Sequence, residues 1–385
     1  MRIDAVVRLR GVFSSLALSG ALLAASAANA QVTPAAGYTP PDDTPKVNVG
    51  VTIFADFTYN DAPTIKDSDG NVVNKSEFEV RRGYINVTGQ LNHLISFRVT
   101  PDITSRFTTT TTSANLPTGT TVTASTNYDG SAVFRLKYAF GQFNLDDWLT
   151  HGSWIRFGQQ QTPYIDFMEG IYRYRFQGTT FAERVGYLSS SDVGLSGHYN
   201  LPNNYGDIHL GYYNGDTYSK AEANDQKAFQ IRGTLRPLAR QKTLKGLRLT
   251  AFYDHDSPVK SGDRERFVGS GTFEHQYVNL GVDYITGKDQ SSVTKPEVKS
   301  EGWSVWVTPR TKIGIEGLFR YDDFKPNKSA DARQKRTLAG VAYWFKLPKP
   351  GLAAAILADY EEVKYDTLLN KPTERRYEIK TLFNY

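Results

Sequence analysis

Between residues 47 and 59 every odd position is apolar: Val47, Val49, Val51, Ile53, Ala55, Phe57 and Tyr59. The even positions Asn48, Gly50, Thr52, Asp56 and Thr58 are small or polar, and Phe54 breaks their row. A period of two marks a strand with one apolar face. The run is longer than the roughly 5–6 residues of an ordinary strand and covers the about 9–11 that a tilted strand needs to cross a bilayer. The same alternation predicts strands at 79–91, 94–107, 134–140, 154–158, 192–197, 208–213, 229–236, 247–254, 266–274, 277–286, 303–308, 313–322, 336–345, 352–360 and 376–385. Sixteen strands is an even number that suits an all-β, transmembrane antiparallel β-barrel.

The connections support this. Short ones fall at Asn92-His93, 202–205, 309–311 and 348–350; long polar ones at 61–76, 108–129, 214–226, 288–299 and 324–332. Short turns on one side and long loops on the other are the habit of outer-membrane barrels. The Thr-rich run 108–126 reads as a solvated outer loop. The third long connection, about 162–191, carries Tyr164, Phe167, Tyr172, Tyr174, Phe176, Phe181 and Tyr187, with Arg173, Arg175 and Arg184 among them. So many aromatics argue against disorder. The expectation is an ordered third loop folded inward against the barrel wall, narrowing it.

The charges fit a polar inside. A cation facing lipid at the midplane costs roughly 2–4 kcal/mol. Arg98, Arg135, Lys137, Arg156, Arg232, Arg248, Arg320 and Lys380 all stand opposite an apolar row, as do Arg106 and Arg236. In 134–140 that row is Phe134, Leu136, Tyr138 and Phe140. The strand 79–91 departs, since its parity changes around Arg81-Arg82-Gly83, which suggests a bulge at Gly83.

Composition adds a compartment. Residues 1–30 have Arg2, Arg8 and Arg10, then an apolar run, then Ala28-Asn29-Ala30, as in a cleaved signal peptide. Residues 31–45 are rich in proline and small residues and read as a short periplasmic leader, leaving 46–385 for the barrel. The net charge of +5, or +3 without three Arg and one Asp of the signal, is too small to argue for nucleic acid. Cysteine is absent, which excludes disulfide frameworks and thiolate metal sites.

Two stretches resemble the phosphate-selective porin O/P family. One is Glu79-Val80-Arg81-Arg82-Gly83-Tyr84-Ile85-Asn86-Val87-Thr88-Gly89-Gln90-Leu91 running into Ile95-Ser96-Phe97-Arg98-Val99. The other is Ile155-Arg156-Phe157-Gly158-Gln159-Gln160-Gln161-Thr162-Pro163-Tyr164, similar to that family's approach to its constriction loop, with Glu183-Arg184 and 192–197 like its exit. The resemblance implies an outer-membrane trimeric porin with no cofactor, in contact with lipid and lipopolysaccharide and passing small anions or hydrophilic solutes. Two departures stand out. Tyr385 replaces the commoner terminal Phe, and Asp102, Asp254, Asp283, Glu316 and Glu378 interrupt the basic ladder expected of a phosphate pore.

The candidate pore residues are Arg98, Arg135, Lys137, Arg156 and Arg232 on the wall, with Arg173, Arg175, Arg184, Asp166 and Glu169 on the loop. Clusters of Arg and Lys favour anions in pores. The same bases also have a bland use: pairing with Asp166, Glu169 and Glu183 to pin the loop. Enzyme chemistry finds little here. The six histidines are scattered, with no metal-ligand spacing. Ser196 and His198 share a strand face, the minimum for a lipase-like dyad, and Asp254-His255-Asp256 reads as an exposed loop tip with some aptitude for a cation. The rivals to a porin are a barrel that anchors an enzyme or adhesin, and a soluble periplasmic β protein.

Overall fold

The computed structural model describes residues 43–116, 119–222, 224–330, 332–349 and 351–385, with the backbone alone between 106 and 130. The expected signal peptide and nearly all of the leader lie outside these residues. All sixteen expected strands are present: β1 (Lys46–Ala62), β2 (Ser76–Gln90), β3 (Ile95–Leu116), β4 (Gly119–Asn144), β5 (Trp154–Gln161), β6 (Ser191–Asn200), β7 (Gly206–Tyr213) and β8 (Ala228–Leu235), then β9 (Leu247–Val259), β10 (Gly262–His275), β11 (Val278–Asp289), β12 (Val298–Pro309), β13 (Ile315–Asn327), β14 (Ala332–Trp344), β15 (Ala353–Tyr365) and β16 (Glu374–Asn384). Each pairs antiparallel with its chain neighbours, and β16 pairs with β1, closing the barrel. At the seam, Thr52 Oγ1 donates to Asn384 Oδ1 at 2.6 Å, and Val51 and Tyr385 exchange backbone bonds of 2.8 and 3.0 Å.

The strands outrun their sequence-predicted bounds at the long-loop end. Residues 107–116 pair with 119–128, so the Thr-rich run is a hairpin rather than the expected solvated loop. Threonine is β-branched and suits a ladder. Asp254, His255 and Asp256 likewise lie within β9 and not in a loop. Turn length is also less regular than expected: 236–246 is a long connection at the short-turn end, and 260–261 a tight one opposite.

The faces sort as a bilayer requires. Val47, Phe78, Phe157 and Val341 are exposed, while Asp56, Arg232, Arg320 and Lys380 point inward and are buried. Outward aromatics gather at both edges. Phe57–Phe78, Trp303–Tyr321 and Tyr360–Tyr377 meet near the long loops, and Phe143–Trp148 and Tyr343–Phe345 near the short turns. Such paired belts mark the two membrane interfaces. Arginine in place of Val282, on the outward face of β11, is therefore expected to cost roughly 2–4 kcal/mol of stability in urea titrations of vesicle-embedded protein. A loss below about 0.5 kcal/mol is what a water-exposed site would give.

Two bulges re-aim side chains beside the lumen. On β2 the pairing passes from Phe54↔Arg82 to Ala55↔Val80, so the extra residue is Arg81 and not Gly83 as expected. Phe78 and Val80 thus stay outside together with Ile85 and Val87, and both arginines turn inward. On β4 the pairing passes from Thr100↔Tyr138 to Pro101↔Leu136, leaving Lys137 extra. Pro101 has no N–H for the ladder, and proline in a sheet sits at such breaks. In consequence Tyr138 and Phe140 face the lumen and are buried, against the expectation that they join the outer row of Phe134 and Leu136.

The inner wall carries an apolar residue on each strand from β9 to β16: Phe252, Val268, Ile285, Trp306, Leu318, Leu338, Leu357 and Leu382. Against them packs the loop 162–190, which holds two short helices, α1 (Ile165–Tyr172) and α2 (Phe181–Arg184). Ile165, Met168, Ile171 and Tyr172 form the buried stripe of α1, at helical spacing. Arg173 ends the helix in the left-handed conformation, its N–H bonding Glu169 O at 2.9 Å.

Candidate functional site: an arginine-faced narrowing

The loop is fastened to half of the barrel. Tyr164 Oη lies 2.6 Å from Ser270 Oγ and donates to Asp283 at 3.2 Å. Asn279 Nδ2 donates to Ile171 O (2.9 Å), Arg320 to Thr179 O (3.0 Å) and Lys380 Nζ to Gln177 O (3.0 Å). Tyr172 meets Trp306 edge-on, and Tyr174 takes a bond from Trp344 Nε1 while donating to Glu316. Arg232 holds the start of the loop, donating to Pro163 O at 2.7 Å, lying over Phe167 and pairing with Asp207. With the loop seated on β8–β16, its free edge faces β1–β3.

Between that edge and the wall lies an opening of about 300 Å³, lined by Glu79, Arg81, Arg82, Arg175, Arg184, Arg336, Arg376, Glu378 and Lys380 among others. Seven of these nine are cations, although carboxylates are equally close by. The two signs are sorted by depth. Asp56, Asp102 and Glu378 have side chains 0 % exposed and Glu361 1 %, while Arg81 is 40 %, Arg376 28 % and Arg82 24 % exposed. The acids hold the bases from behind. Arg82 donates to Asp102 at 2.6 Å and Arg376 to Glu361 at 2.7 Å; Arg81 pairs with Asp56 and Arg336 with Glu361. Asp359, Glu361 and Glu378 bring oxygens within 4.8 Å of one another, but Lys380, Arg376, Arg336 and Arg184 already sit on this group. At Gly178 a Cβ would collide with the Arg184 guanidinium, so glycine lets that cation lie flat on the loop backbone. A solute in the opening meets Arg81, Arg82 and Arg376 as the most exposed charges, with Glu79, 19 % exposed, the carboxylate beside them.

Of the sequence-stated candidates, Arg175 and Arg184 line this opening. Arg175 does so from a 2.6 Å pair with Glu169. Arg173 does not. It turns away to lie over Trp344 and reach Glu316 at 3.4 Å. Asp166 accepts from Tyr138 Oη at 3.5 Å, and Arg232 clamps the loop. The rest stand on β3–β5, with Arg98, Lys137 and Arg156 running towards the short-turn end and Arg135 beside the narrowing, where it shares a carboxylate with Arg82. Arg135 shares Asp102 (3.4 Å), Lys137 sits over Tyr84, Arg98 over Tyr138, and Arg156 over Trp154 at 3.7 Å. The sequence reading missed Arg81, Arg82, Arg336 and Arg376 as members of the narrowing. Ser196 and His198 take separate partners: Ser196 donates to Gln160, and His198 contacts Asp207 and Gly152 O. Arg106 falls outside the described side chains.

No family model and no curated protein matches this sequence. Solved structures do. The anion-selective porin from Comamonas acidovorans is 10% identical, with a TM-score of 0.58 over 88% of this chain and 100% of that one. A trimer form of OmpT, an outer membrane protein of Vibrio cholerae, is 12% identical, with a TM-score of 0.56 over 89% and 100%. The outer membrane channel DcaP of Acinetobacter baumannii is 12% identical, with a TM-score of 0.56 over 89% and 97%. At such identities the likeness is one of fold: a porin-like barrel of outer-membrane type.

Proposed function

We propose that this chain is an outer-membrane porin for passive diffusion of small hydrophilic solutes and ions, with a mild preference for anions, phosphate among them. The observation that carries the reading is the depth of charge at the narrowing, where Arg81, Arg82 and Arg376 reach water while Asp56, Asp102, Glu361 and Glu378 behind them are buried. Donors fixed in that way stabilise an anion without having to reorganise. In this reading residues 1–30 are removed on export, 31–45 lead into the barrel at 46–385, and the protein works as a homotrimer without a cofactor, bathed by lipid and lipopolysaccharide. Arg81, Arg82, Arg175, Arg184, Arg336, Arg376 and Lys380 meet the solute; Arg98, Arg135, Lys137 and Arg156 extend the path. Arg173, Arg232, Asp166 and Glu169 hold the loop. The likeness to the O/P family belongs to the same proposal, supported by the paired arginines of β2.

The purified protein in a planar bilayer is expected to open in steps of three, and its reversal potential in a potassium chloride gradient to lie on the anion side. Added phosphate is expected to reduce the chloride current. A cation-side reversal potential refutes the selectivity, and a silent bilayer refutes the channel.

A further inference from the structure

The connection 236–246, long for the short-turn end, carries Arg236, Arg240, Lys242 and Lys245 and no acidic residue. It is a chain of tight turns. Ala239 N–H donates to Arg236 O at 3.2 Å, Gln241 N–H to Leu238 O at 3.0 Å and Lys245 N–H to Gln241 O at 2.9 Å. Gly246 ends it against β10, where a Cβ would collide with Glu274 O. Between this turn and the short-turn ends of β9–β12 lies a cavity of about 500 Å³, lined by Arg236, Lys242, Lys245, Arg248, Asn279 and Arg310 among others. Small-molecule sites commonly measure about 300–1,000 Å³. The cavity stands under the seat of the loop, where Asn279 Nδ2 holds Ile171 O, and it shares no lining residue with the narrowing.

The charge here is not neutralised in place. Among the described lining residues Glu274 is the one carboxylate, and it pairs with Arg248. Glu316, beside Arg310, accepts from Tyr174 at 3.1 Å and from Arg173 at 3.4 Å, and lies 3.6 Å from Arg310 Nε, outside hydrogen-bond reach. Asp207, near Arg236, is taken by Arg232 and His198. Among the described residues no carboxylate pairs with Arg236, Lys242 or Lys245. Polar atoms are also left over. Arg236 Nε, Arg310 Nε, Arg310 Nη2 and Asn279 Oδ1 are buried without a hydrogen-bond partner, and Asn279 is 0 % exposed. Buried polar groups are as a rule hydrogen-bonded. Three N–H donors and one acceptor around a basic cavity therefore outline the complement of a ligand, with oxyanion oxygens for the donors and a hydroxyl for Asn279.

We propose that this cavity binds the phosphate monoester of a small polyol, taken up from the short-turn side. Guanidinium forks and lysine ammoniums suit the phosphate, and the orphan amide oxygen of Asn279 suits a hydroxyl of the same molecule. The site goes beyond the channel reading and does not depend on it. The test is isothermal titration of the detergent-solubilised barrel at low salt with glucose 6-phosphate, glucose and ethyl phosphate. Glucose 6-phosphate is expected to bind at least about tenfold tighter than glucose, which lacks the charge, and several-fold tighter than ethyl phosphate, which lacks the hydroxyls. The variant K242Q/K245Q changes two exposed side chains and is expected to weaken glucose 6-phosphate about tenfold. The variant R81Q/R82Q/R376Q, at the narrowing, is expected to keep the parental affinity. Glucose or ethyl phosphate binding as tightly as glucose 6-phosphate overturns the proposal, and so does parental affinity in K242Q/K245Q. Loss of binding in the narrowing variant overturns it too, because the probe then sits in the narrowing. Should K242Q/K245Q fail to fold, as read by heat-modifiable gel migration, the three probes on the parent and on the narrowing variant decide. A silent planar bilayer would sink the channel reading and leave this binding test as it stands.

Discussion

With Arg81, Arg82 and Arg376 changed together to glutamine, the proposed anion preference is expected to give way to a preference for cations. The reason lies in what the substitutions leave behind. Asp56, Asp102, Glu361 and Glu378 are buried behind these guanidiniums, and glutamine keeps the bulk while removing the charge. Two unit charges 4 Å apart interact by about 4 kcal/mol at an effective dielectric of 20. Arg175, Arg184, Arg336 and Lys380 then remain as the four lining cations, against Glu79 and Glu378 in the lining and Asp56, Asp102 and Glu361 behind it, so negative charge outweighs positive beside the passage. The reversal potential in a salt gradient is expected to change sign, most clearly at 0.1 M salt, where the screening length is about 10 Å, and less at 1 M, where it is about 3 Å. Arg173→Gln is the control. Its side chain lies over Trp344 and reaches Glu316, outside the opening, so the sign is expected to stay. An anion-selective triple variant, folded by gel migration, would mean that permeating ions do not pass these side chains.

The strand count and the direction of the charges were legible because both follow from a period of two and from the cost of a cation in lipid. Val47 to Tyr59 states the outer face of β1 without help from any other part of the chain. The narrowing was less legible, because three of its causes are not local. The bulge at Arg81 depends on its partner strand: only the pairing with Phe54 and Ala55 shows which residue is extra. Arg376 and Lys380 join Arg81 only because β16 closes on β1, and proximity across 295 positions (from 81 to 376) leaves no trace in spacing. The apolar seat of the loop is spread thinly over β9–β16, one or two buried residues to a strand, too thin to read as a pattern; Phe54, the one apolar residue in the polar row read between 48 and 58, belongs to the same inner cluster. The parity break at Arg81-Arg82-Gly83 was the available signal, and it pointed two residues too far along. At Lys137 the alternation looked regular, and the bulge there reversed the faces of Tyr138 and Phe140.

Replacing residues 164–187 by a short Gly-Ser bridge is expected to raise single-channel conductance several-fold and to weaken the proposed anion preference. The segment fills the lumen between the β8–β16 wall and the opening, and it supplies Arg175 and Arg184 to the opening itself. Its polar fastenings are cheap to lose, since water entering the lumen rebinds Lys380, Arg320 and Asn279. The apolar ones are not. Burying a Leu, Val or Phe side chain is worth about 1.5–3 kcal/mol, and eight such residues on the inner wall would become partly wet. Area-based sums are upper estimates, so a loss of several kcal/mol is expected, read as a lower midpoint of heat-induced unfolding. The barrel itself is expected to survive, because its hydrogen bonds run from strand to neighbouring strand around a closed ring and do not pass through the loop. Conductance and thermal stability should therefore move in opposite directions in one variant. If conductance stayed at the parental value while the midpoint fell, the loop would be a plug or brace beside the path, and selectivity would have to be set by Arg98, Arg135 and Arg156 on the opposite wall.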